Sequence, residues 1–113
     1  MQRFGRVLRL KQGAESEYDS YHREVWPEIV ESCRQSGILN YTIFRHGRWL
    51  FSYFELPDGV ALEDVGKSVA DSEASAKWEK LMHDLQEPLP ESQGENWWVL
   101  MDEVWHLENR DSE

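Results

Sequence analysis

Sulfur is scarce in this sequence, in which Cys33 is the single cysteine. One thiol cannot form an intramolecular disulfide or supply a cluster of metal-binding cysteines, so a disulfide-stabilised secreted scaffold is excluded. Long hydrophobic runs are missing as well. No stretch approaches the roughly 20 apolar residues of a membrane-spanning helix, and the N-terminal "MQRFGRVLRLKQG" has no apolar signal-peptide core. We therefore expect a soluble, cytoplasmic protein with no membrane partner.

Positive charge is in short supply. Lys and Arg number 12 against 22 Asp and Glu, which gives a formal net charge of −10 at pH 7. A surface of this sign repels a phosphate backbone and an anionic membrane alike. We therefore expect no nucleic-acid partner.

The common metal and cofactor motifs are absent. The four histidines, at positions 22, 46, 83 and 106, are not spaced as H-x-x-x-H and have no cysteine partner at ligand spacing. The sequence also has no glycine-rich phosphate loop, no dinucleotide fingerprint and no G-x-S-x-G motif. We expect neither a metal site nor a cofactor.

Aromatic residues, by contrast, are plentiful: 113 residues include six Trp, four Tyr and four Phe. This apolar content is enough for one compact core. We expect a single α+β domain over residues 1–108, followed by a charged tail at 109–113.

The pattern of polar and apolar residues predicts the element order β-α-β-β-α-β. Strands are expected at 3–10, 38–45, 48–56 and 97–107, with a hairpin turn at His46-Gly47. Helical spacing follows the first strand, bent just after Trp26 by Pro27, and returns over 61–70 and 72–86 with a break near 71–72. This order predicts a ferredoxin-like fold with the helices on one face of an antiparallel sheet. Since the last strand is apolar on both faces, we expect a homodimer that packs two sheets face to face.

The segment "YDSYHREVWP" places Tyr18, His22 and Trp26 four residues apart, on one side of the expected helix. Such a stripe is usually part of a core. A phenol, an imidazole and an indole together can also form a pocket that stacks on a sugar ring and moves a proton. Tyr41 and Trp78 are candidates for further aromatic walls of that pocket.

The sequence resembles the L-rhamnose mutarotase family over nearly its whole length. The resemblance is carried by "RFGRVLRLKQGAESEY", "YHREVWPEIVESCRQSGILNYTIF", "LFSYFEL", "KWEKLM" and "DEVWHL". It implies a dimeric α+β barrel enzyme that needs no cofactor and interconverts the α and β anomers of a deoxyhexose, a monosaccharide.

The resemblance also implies roles for individual residues. His22 matches the proton donor of the family, and Tyr18 and Tyr41 match tyrosines that line its sugar pocket. Trp78 matches the first of two adjacent tryptophans, whereas Glu79 stands where the rhamnose enzymes have the second. This difference favours a related sugar such as L-fucose over L-rhamnose. We also include Tyr18 among the catalytic candidates and Trp26 among the pocket walls.

Two other functions fit the same architecture. One is a cofactor-free monooxygenase of the dimeric α+β barrel type, and the other is a sugar-binding module without catalysis. Outside the candidate site, we expect His83 on the solvent side of its helix. Trp97 and Trp98 are expected to serve in sheet packing and dimer contact and not as ligand walls.

Overall fold

The computed structural model describes residues 1–65, 73–94 and 96–108. Its sheet has the strand order β2-β3-β1-β4, and β5 also pairs with β1. All strand pairs are antiparallel. The elements in chain order are β1 (Gln2–Leu10), α1 (Glu15–Arg23), α2 (Pro27–Gln35), β2 (Leu39–His46), β3 (Trp49–Leu56), α3 (Leu62–Val65), α4 (Glu73–Leu85), β4 (Gln86–Glu87) and β5 (Val99–Met101).

The two faces of the sheet differ as the alternation of β1 and β3 predicts. Inward-facing Leu8, Leu10, Leu50 and Leu56 are fully buried. Phe51, one residue along β3, faces outward and is 37% exposed. In the described part of the chain, helix residues such as Tyr18 and Met82 pack on the inner face, which gives a two-layer domain with a helical layer on an antiparallel sheet. The predicted α+β, ferredoxin-like fold is confirmed.

Pro27 divides the expected first helix into two. α1 ends at Arg23, and α2 begins with Pro27 at its first position and Trp26 as N-cap. Proline has no backbone N–H and therefore removes a hydrogen bond when it lies inside a helix. At the first helical position the backbone N–H makes no intrahelical hydrogen bond, so proline is tolerated there. The backbone therefore restarts here. Trp26 lies outside α1, so the expectation of one continuous stripe through residues 18, 22 and 26 is corrected.

The hairpin between β2 and β3 forms as predicted, with Gly47 at φ +59°. At the other end of β2, the register with β3 shifts between Leu39 and Thr42. Asn40 there has φ +52°, in the left-handed region that asparagine tolerates better than most residues. The result is a β-bulge, which bends the strand beside Tyr41.

The predicted last strand at 97–107 is wrong in its extent. Only Val99–Met101 pairs with β1, and residues 102–108 are exposed outside any strand. In the observed register Met101 lies opposite Gly5, so residues from about position 105 onward extend beyond the end of β1 and have no strand to pair with. Part of the expected strand position is taken by β4, whose residues pair with Arg9 and Leu10. The fourth position of the sheet is thus shared by two short strands.

Two predicted features lie outside the described residues. These are the helix break near 71–72 and the tail at 109–113. Within the described part, α4 begins at Glu73 and packs Met82 and Leu85 into the core, as expected. No helix in that part is long and apolar enough to cross a membrane.

Candidate functional site

A polar row interrupts the apolar inner face of the sheet. One core cluster surrounds Leu8 and Leu50, and a second surrounds Phe54 and Leu56. Between them, Arg6 on β1 lies opposite Ser52 on β3. The Arg6 guanidinium donates a hydrogen bond from Nε to the Ser52 hydroxyl at 3.2 Å. A charged side chain is costly to bury without polar contacts. A buried polar row in an otherwise apolar layer therefore indicates a functional site on this face of the sheet.

Above this row, the helices and the sheet enclose a cavity of about 900 Å³. This volume lies within the range of about 300–1,000 Å³ that is typical of small-molecule sites. Residues from every layer line it, among them Arg6, Tyr18, His22, Tyr41, Trp78 and Gln86. The cavity thus combines aromatic walls with a few polar groups.

His22 is oriented by its own helix. Its ring nitrogen Nδ1 is 2.9 Å from the Tyr18 carbonyl oxygen, four residues back. A carbonyl oxygen only accepts hydrogen bonds, so the hydrogen of a neutral imidazole is on Nδ1. The His22 ring also stacks on the Tyr18 ring, with centroids 4.1 Å apart. Nε2 is therefore left with its lone pair, the group that accepts a proton in acid/base catalysis.

Burial sets the protonation of these two side chains. Desolvation lowers the pKa of His22 below 6.5, while the hydrogen bond to the Tyr18 carbonyl and the charge of Asp19 oppose this effect. Desolvation also raises the pKa of Tyr18 above its usual value. Only 3% of Tyr18 is exposed. At neutral pH both groups are therefore uncharged. The imidazole can accept a proton, and the phenol ring stacks against it.

Trp78 of α4 contacts aromatic rings of α1 and of the segment that follows α1. The rings of His22, Tyr21 and Trp26 lie edge-to-face with the Trp78 ring, with centroids 5.4, 6.4 and 5.1 Å apart. Edge-to-face geometry of this kind is favourable for aromatic pairs. Trp78 lines the cavity and fixes one side of the His22 ring at the same time.

On the opposite side, the bulge in β2 holds Tyr41 against the sheet. Its hydroxyl accepts a hydrogen bond from Nη2 of Arg6 at 2.8 Å. The guanidinium also lies over the rings of Phe54 and Trp98, 4.7 and 5.0 Å from their centroids. Burial raises the pKa of Tyr41, and Arg6 opposes the rise through its charge and its hydrogen bond.

Most of the predicted site residues meet at this cavity. Tyr18, His22, Tyr41 and Trp78 line it, and Glu79 lines it from an exposed position on α4. Trp26 is not among the lining residues; it is half-buried against Trp78.

The prediction for His83 is wrong, and those for Trp97 and Trp98 are incomplete. His83, expected on the solvent side, stacks on Trp97 with ring centroids 4.0 Å apart. Both line the cavity, as does Trp98. The two tryptophans also pack against the core cluster of Leu8 and Leu50, so the expected packing role is confirmed and their position at the cavity was missed. Residues 97 and 98 reach the cavity because β5 begins only at Val99. The two tryptophans therefore precede the strand and pack against the inner side of the sheet. Ser92 holds this turn by donating a hydrogen bond to the Trp97 carbonyl at 2.6 Å.

Arg6 and Gln86 are site residues that the sequence analysis missed. The signal for Arg6 was available, because it shares the inward parity of Phe4 and Leu8 in β1. A charged residue at an inward position marks a site or a buried pair. Gln86 had no such signal, since the chain leaves α4 and enters β4 at that residue. Among the described residues, no group of three or more His, Cys, Asp or Glu could hold a metal ion.

An α+β fold around an aromatic cavity, with an oriented imidazole and a phenol hydrogen-bonded to arginine, defines the class of α+β proteins with a small-molecule site. Comparisons with known proteins agree. The model of the L-rhamnose mutarotase family matches residues 3–107. An L-rhamnose mutarotase from Lactiplantibacillus plantarum is 35% identical over 96% of this chain and 100% of its own length. One from Lachnoclostridium phytofermentans is 33% identical over 89% of this chain and 93% of its own.

The fold is shared as well. The crystal structure of an L-rhamnose mutarotase from Formosa agariphila superposes with a TM-score of 0.73, at 22% identity, over 96% of this chain and all of the other. The chain therefore belongs to the L-rhamnose mutarotase family. The predictions of this family and of an enzyme, an isomerase acting on carbohydrates, are confirmed.

Proposed function

We propose that this protein interconverts the α and β anomers of a deoxyhexose by acid/base opening of the pyranose ring. The observation that carries the proposal is His22, which lines an aromatic cavity with Nδ1 bonded to the Tyr18 carbonyl and Nε2 left as a base. The names of the relatives support L-rhamnose or a similar sugar as the substrate.

The chemistry follows from the hemiacetal. Ring opening removes the proton of the anomeric hydroxyl, breaks the bond between C1 and the ring oxygen, and gives a proton to that oxygen. Closure on the other face of the aldehyde reverses these transfers. In our proposal Nε2 of His22 takes the anomeric proton and donates it to the ring oxygen as the C1–oxygen bond breaks, and on closure it carries the proton back to the anomeric oxygen. A positioned acid/base group of this kind contributes about 10²–10⁴-fold.

The preference for one sugar over another depends on the residues that line the cavity. Trp78 offers an indole face for the C–H surface of a pyranose, and Tyr18 and Tyr41 complete the pocket. By the resemblance, Glu79 stands where the rhamnose enzymes have a second tryptophan, and it lines the cavity from an exposed position. A carboxylate accepts hydrogen bonds from sugar hydroxyls, so we propose that the preferred sugar differs from L-rhamnose at a hydroxyl near this residue, as L-fucose does.

The test is saturation transfer between anomeric protons by NMR, with L-rhamnose and L-fucose as substrates. We expect the protein to accelerate exchange, faster for fucose, and Glu79→Trp to shift the preference toward rhamnose. Lys77→Trp, which adds an indole at a 68% exposed side chain of the same helix, is the matched control. Clear superiority of rhamnose in the unmodified protein would contradict the role of Glu79. Binding of either sugar without faster exchange would instead favour the non-catalytic module.

We propose further that the protein acts in the cytoplasm as a homodimer formed by the outer face of the sheet. Phe51 on this face lies between Phe44 and Val7 on the neighbouring strands, and Val99 continues the row. Phe44 is 63% exposed. Since adjacent exposed aromatic and aliphatic side chains are unfavourable in water, a second copy of the same face is a suitable cover.

Sedimentation velocity tests the dimer. Phe51→Glu places a charge in the middle of the row and is expected to shift the protein from dimer to monomer. Lys77→Glu on the helical layer adds negative charge away from this face and should leave the dimer intact. A monomeric unmodified protein at micromolar concentration would rule out the proposed interface.

A further inference from the structure

Arg45 is a charged side chain at an inward position of the sheet. It lies opposite the fully buried Leu50 where β2 pairs with β3, and Ile43, two residues earlier, lines the cavity. This parity directs the Arg45 side chain toward the helical layer. There it forms a bidentate ion pair with Asp19 of α1, in which Nε donates to Oδ1 at 2.8 Å and Nη2 donates to Oδ2 at 2.6 Å. The pair connects the strand to the helix that carries His22.

The hairpin turn holds the guanidinium as well. Its third nitrogen, Nη1, donates to the Gly47 carbonyl oxygen at 2.8 Å. All three nitrogens of Arg45 therefore have an acceptor, and the planar fork fixes the carboxylate in one orientation. The side chains of Arg45 and Asp19 are 31% and 33% exposed, and ion pairs at such exposure add little to folding stability. Geometry this complete with so little benefit to folding indicates a role in the neighbouring site.

Asp19 lies close to His22 on the same helix. The two residues are three positions apart, a spacing that places their Cβ atoms about 5–6 Å from each other. Desolvation lowers the pKa of His22, whereas the hydrogen bond to the Tyr18 carbonyl and the charge of Asp19 raise it. Arg45 in turn lowers the pKa of Asp19 through its hydrogen bonds. Asp19 therefore stays ionised throughout the pH range in which His22 titrates.

A nearby negative charge matters because the His22 imidazole becomes positive during the reaction. In the mutarotase function proposed above, His22 takes the anomeric proton before it donates that proton to the ring oxygen. A desolvated cavity disfavours the imidazolium that exists between the two transfers. Asp19 is not among the residues that line the cavity, so its charge acts on His22 and not on the sugar.

We propose that Asp19 and Arg45 are positioning residues for His22. Arg45 fixes the Asp19 carboxylate, and with it α1, against the hairpin, and the Asp19 charge stabilises the protonated imidazole. The proposal rests on the mutarotase function proposed above.

Other titratable or charged side chains face His22 across the cavity. The sheet contributes Arg6 and Tyr41, and α4 contributes Glu79 and His83. Tyr18 on α1, Cys33 on α2, Glu63 on α3 and Glu91 after β4 complete the set. All of them are unchanged in the variants below, so a shift in the His22 titration reports on the pair.

A histidine titration tests the charge without relying on turnover. With histidine labelled at ¹³Cε1 and the His22 signal assigned by its loss in His22→Phe, Asp19→Asn should lower the pH at which His22 is protonated. Arg45→Met should raise that pH, because the carboxylate is no longer paired with a cation. A purely structural ion pair would not shift the titration in opposite directions. Glu73→Gln and Lys77→Met, which remove an exposed ion pair of α4, are the matched controls and should leave it unchanged.

Anomer exchange measured by NMR tests the effect on the reaction. Asp19→Asn should lower kcat about 3–10-fold at neutral pH with little change in KM, a size that fits one charge several ångströms from the imidazole in a partly solvated site. The double variant Asp19→Arg with Arg45→Asp restores the ion pair but places the positive charge on α1. It should not recover the activity, and His22 should be protonated at a still lower pH. Circular dichroism establishes that each variant is folded.

Three outcomes would contradict these expectations. Full activity of the double variant would show that only the ion pair matters and would overturn the role of the charge. An unshifted His22 titration in folded Asp19→Asn would overturn it as well. Absence of accelerated exchange in the unmodified protein would instead refute the mutarotase function, on which the role of the pair depends.

Discussion

Replacement of His22 by Phe separates its chemistry from its packing. The imidazole contributes a ring that stacks on Tyr18 at 4.1 Å and meets Trp78 at 5.4 Å, together with two nitrogens. Phenylalanine keeps a ring for both contacts and removes the nitrogens. Loss of a positioned acid/base group costs about 10²–10⁴-fold in rate, which corresponds to about 3–5 kcal/mol in the activation free energy. The free energy of unfolding should change by no more than about 1 kcal/mol, the size of one aromatic pair.

The assay for this variant is anomer exchange by NMR beside urea denaturation. His22→Ala removes the stacking as well, so it should be as inactive as His22→Phe but less stable by about 0.5–1.5 kcal/mol. His46→Ala, at the exposed end of β2, is the matched control and should change neither quantity. A His22→Phe protein that keeps more than a tenth of the exchange rate would refute the assignment of His22 as the proton-transferring group.

Three other predictions concern pH, the core and the helix break. Because desolvation lowers the pKa of His22 below 6.5, the neutral imidazole and its share of folding stability are fully present above pH 6.5. Both activity and stability should fall as the pH drops through the His22 pKa; a pH–rate profile with its acid limb above 6.5 would contradict this. Leu50→Ala should lower the free energy of unfolding by about 2–5 kcal/mol in urea denaturation, since Leu50 is fully buried between β1 and the helices. The exposed Leu107→Ala serves as its control, and equal losses would refute the core assignment. Pro27→Ala should lower the free energy of unfolding by about 0.4–1 kcal/mol, because a proline at the first helical position restricts the unfolded chain. The melting temperature should therefore fall slightly. A rise in melting temperature would show that Pro27 strains the helix instead.

Local patterns were enough to predict much of the fold. Alternation identified β1 and β3, the Gly47 turn located the hairpin, and helical spacing placed Met82 and Leu85 in the core. These features depend on residues close together in sequence. The end of β5 depends instead on where its partner β1 ends, which the apolar run from Trp97 onward does not encode.

The candidate site divides in the same way. Tyr18 and His22 lie within one helical turn, so their spacing alone predicts that they meet. The contact of Arg6 with Tyr41 joins β1 to β2 through a sheet register and a bulge, and neither is visible in the spacing of two distant residues. His83 and Trp97 likewise meet only because the chain folds back between β4 and β5.

The division of the fourth sheet position between β4 and β5 has a consequence for amide hydrogen exchange. β1 and β3 pair continuously from Gln2 to Arg9, whereas β5 is held to β1 over three residues. Short ladders open locally at a much lower free energy than the central pair. The amides of Val99–Met101 should therefore exchange long before those of β3. On warming, the cavity wall that carries Trp97 and Trp98 would loosen while the sheet is still intact, so catalysis would fail at a lower temperature than the fold.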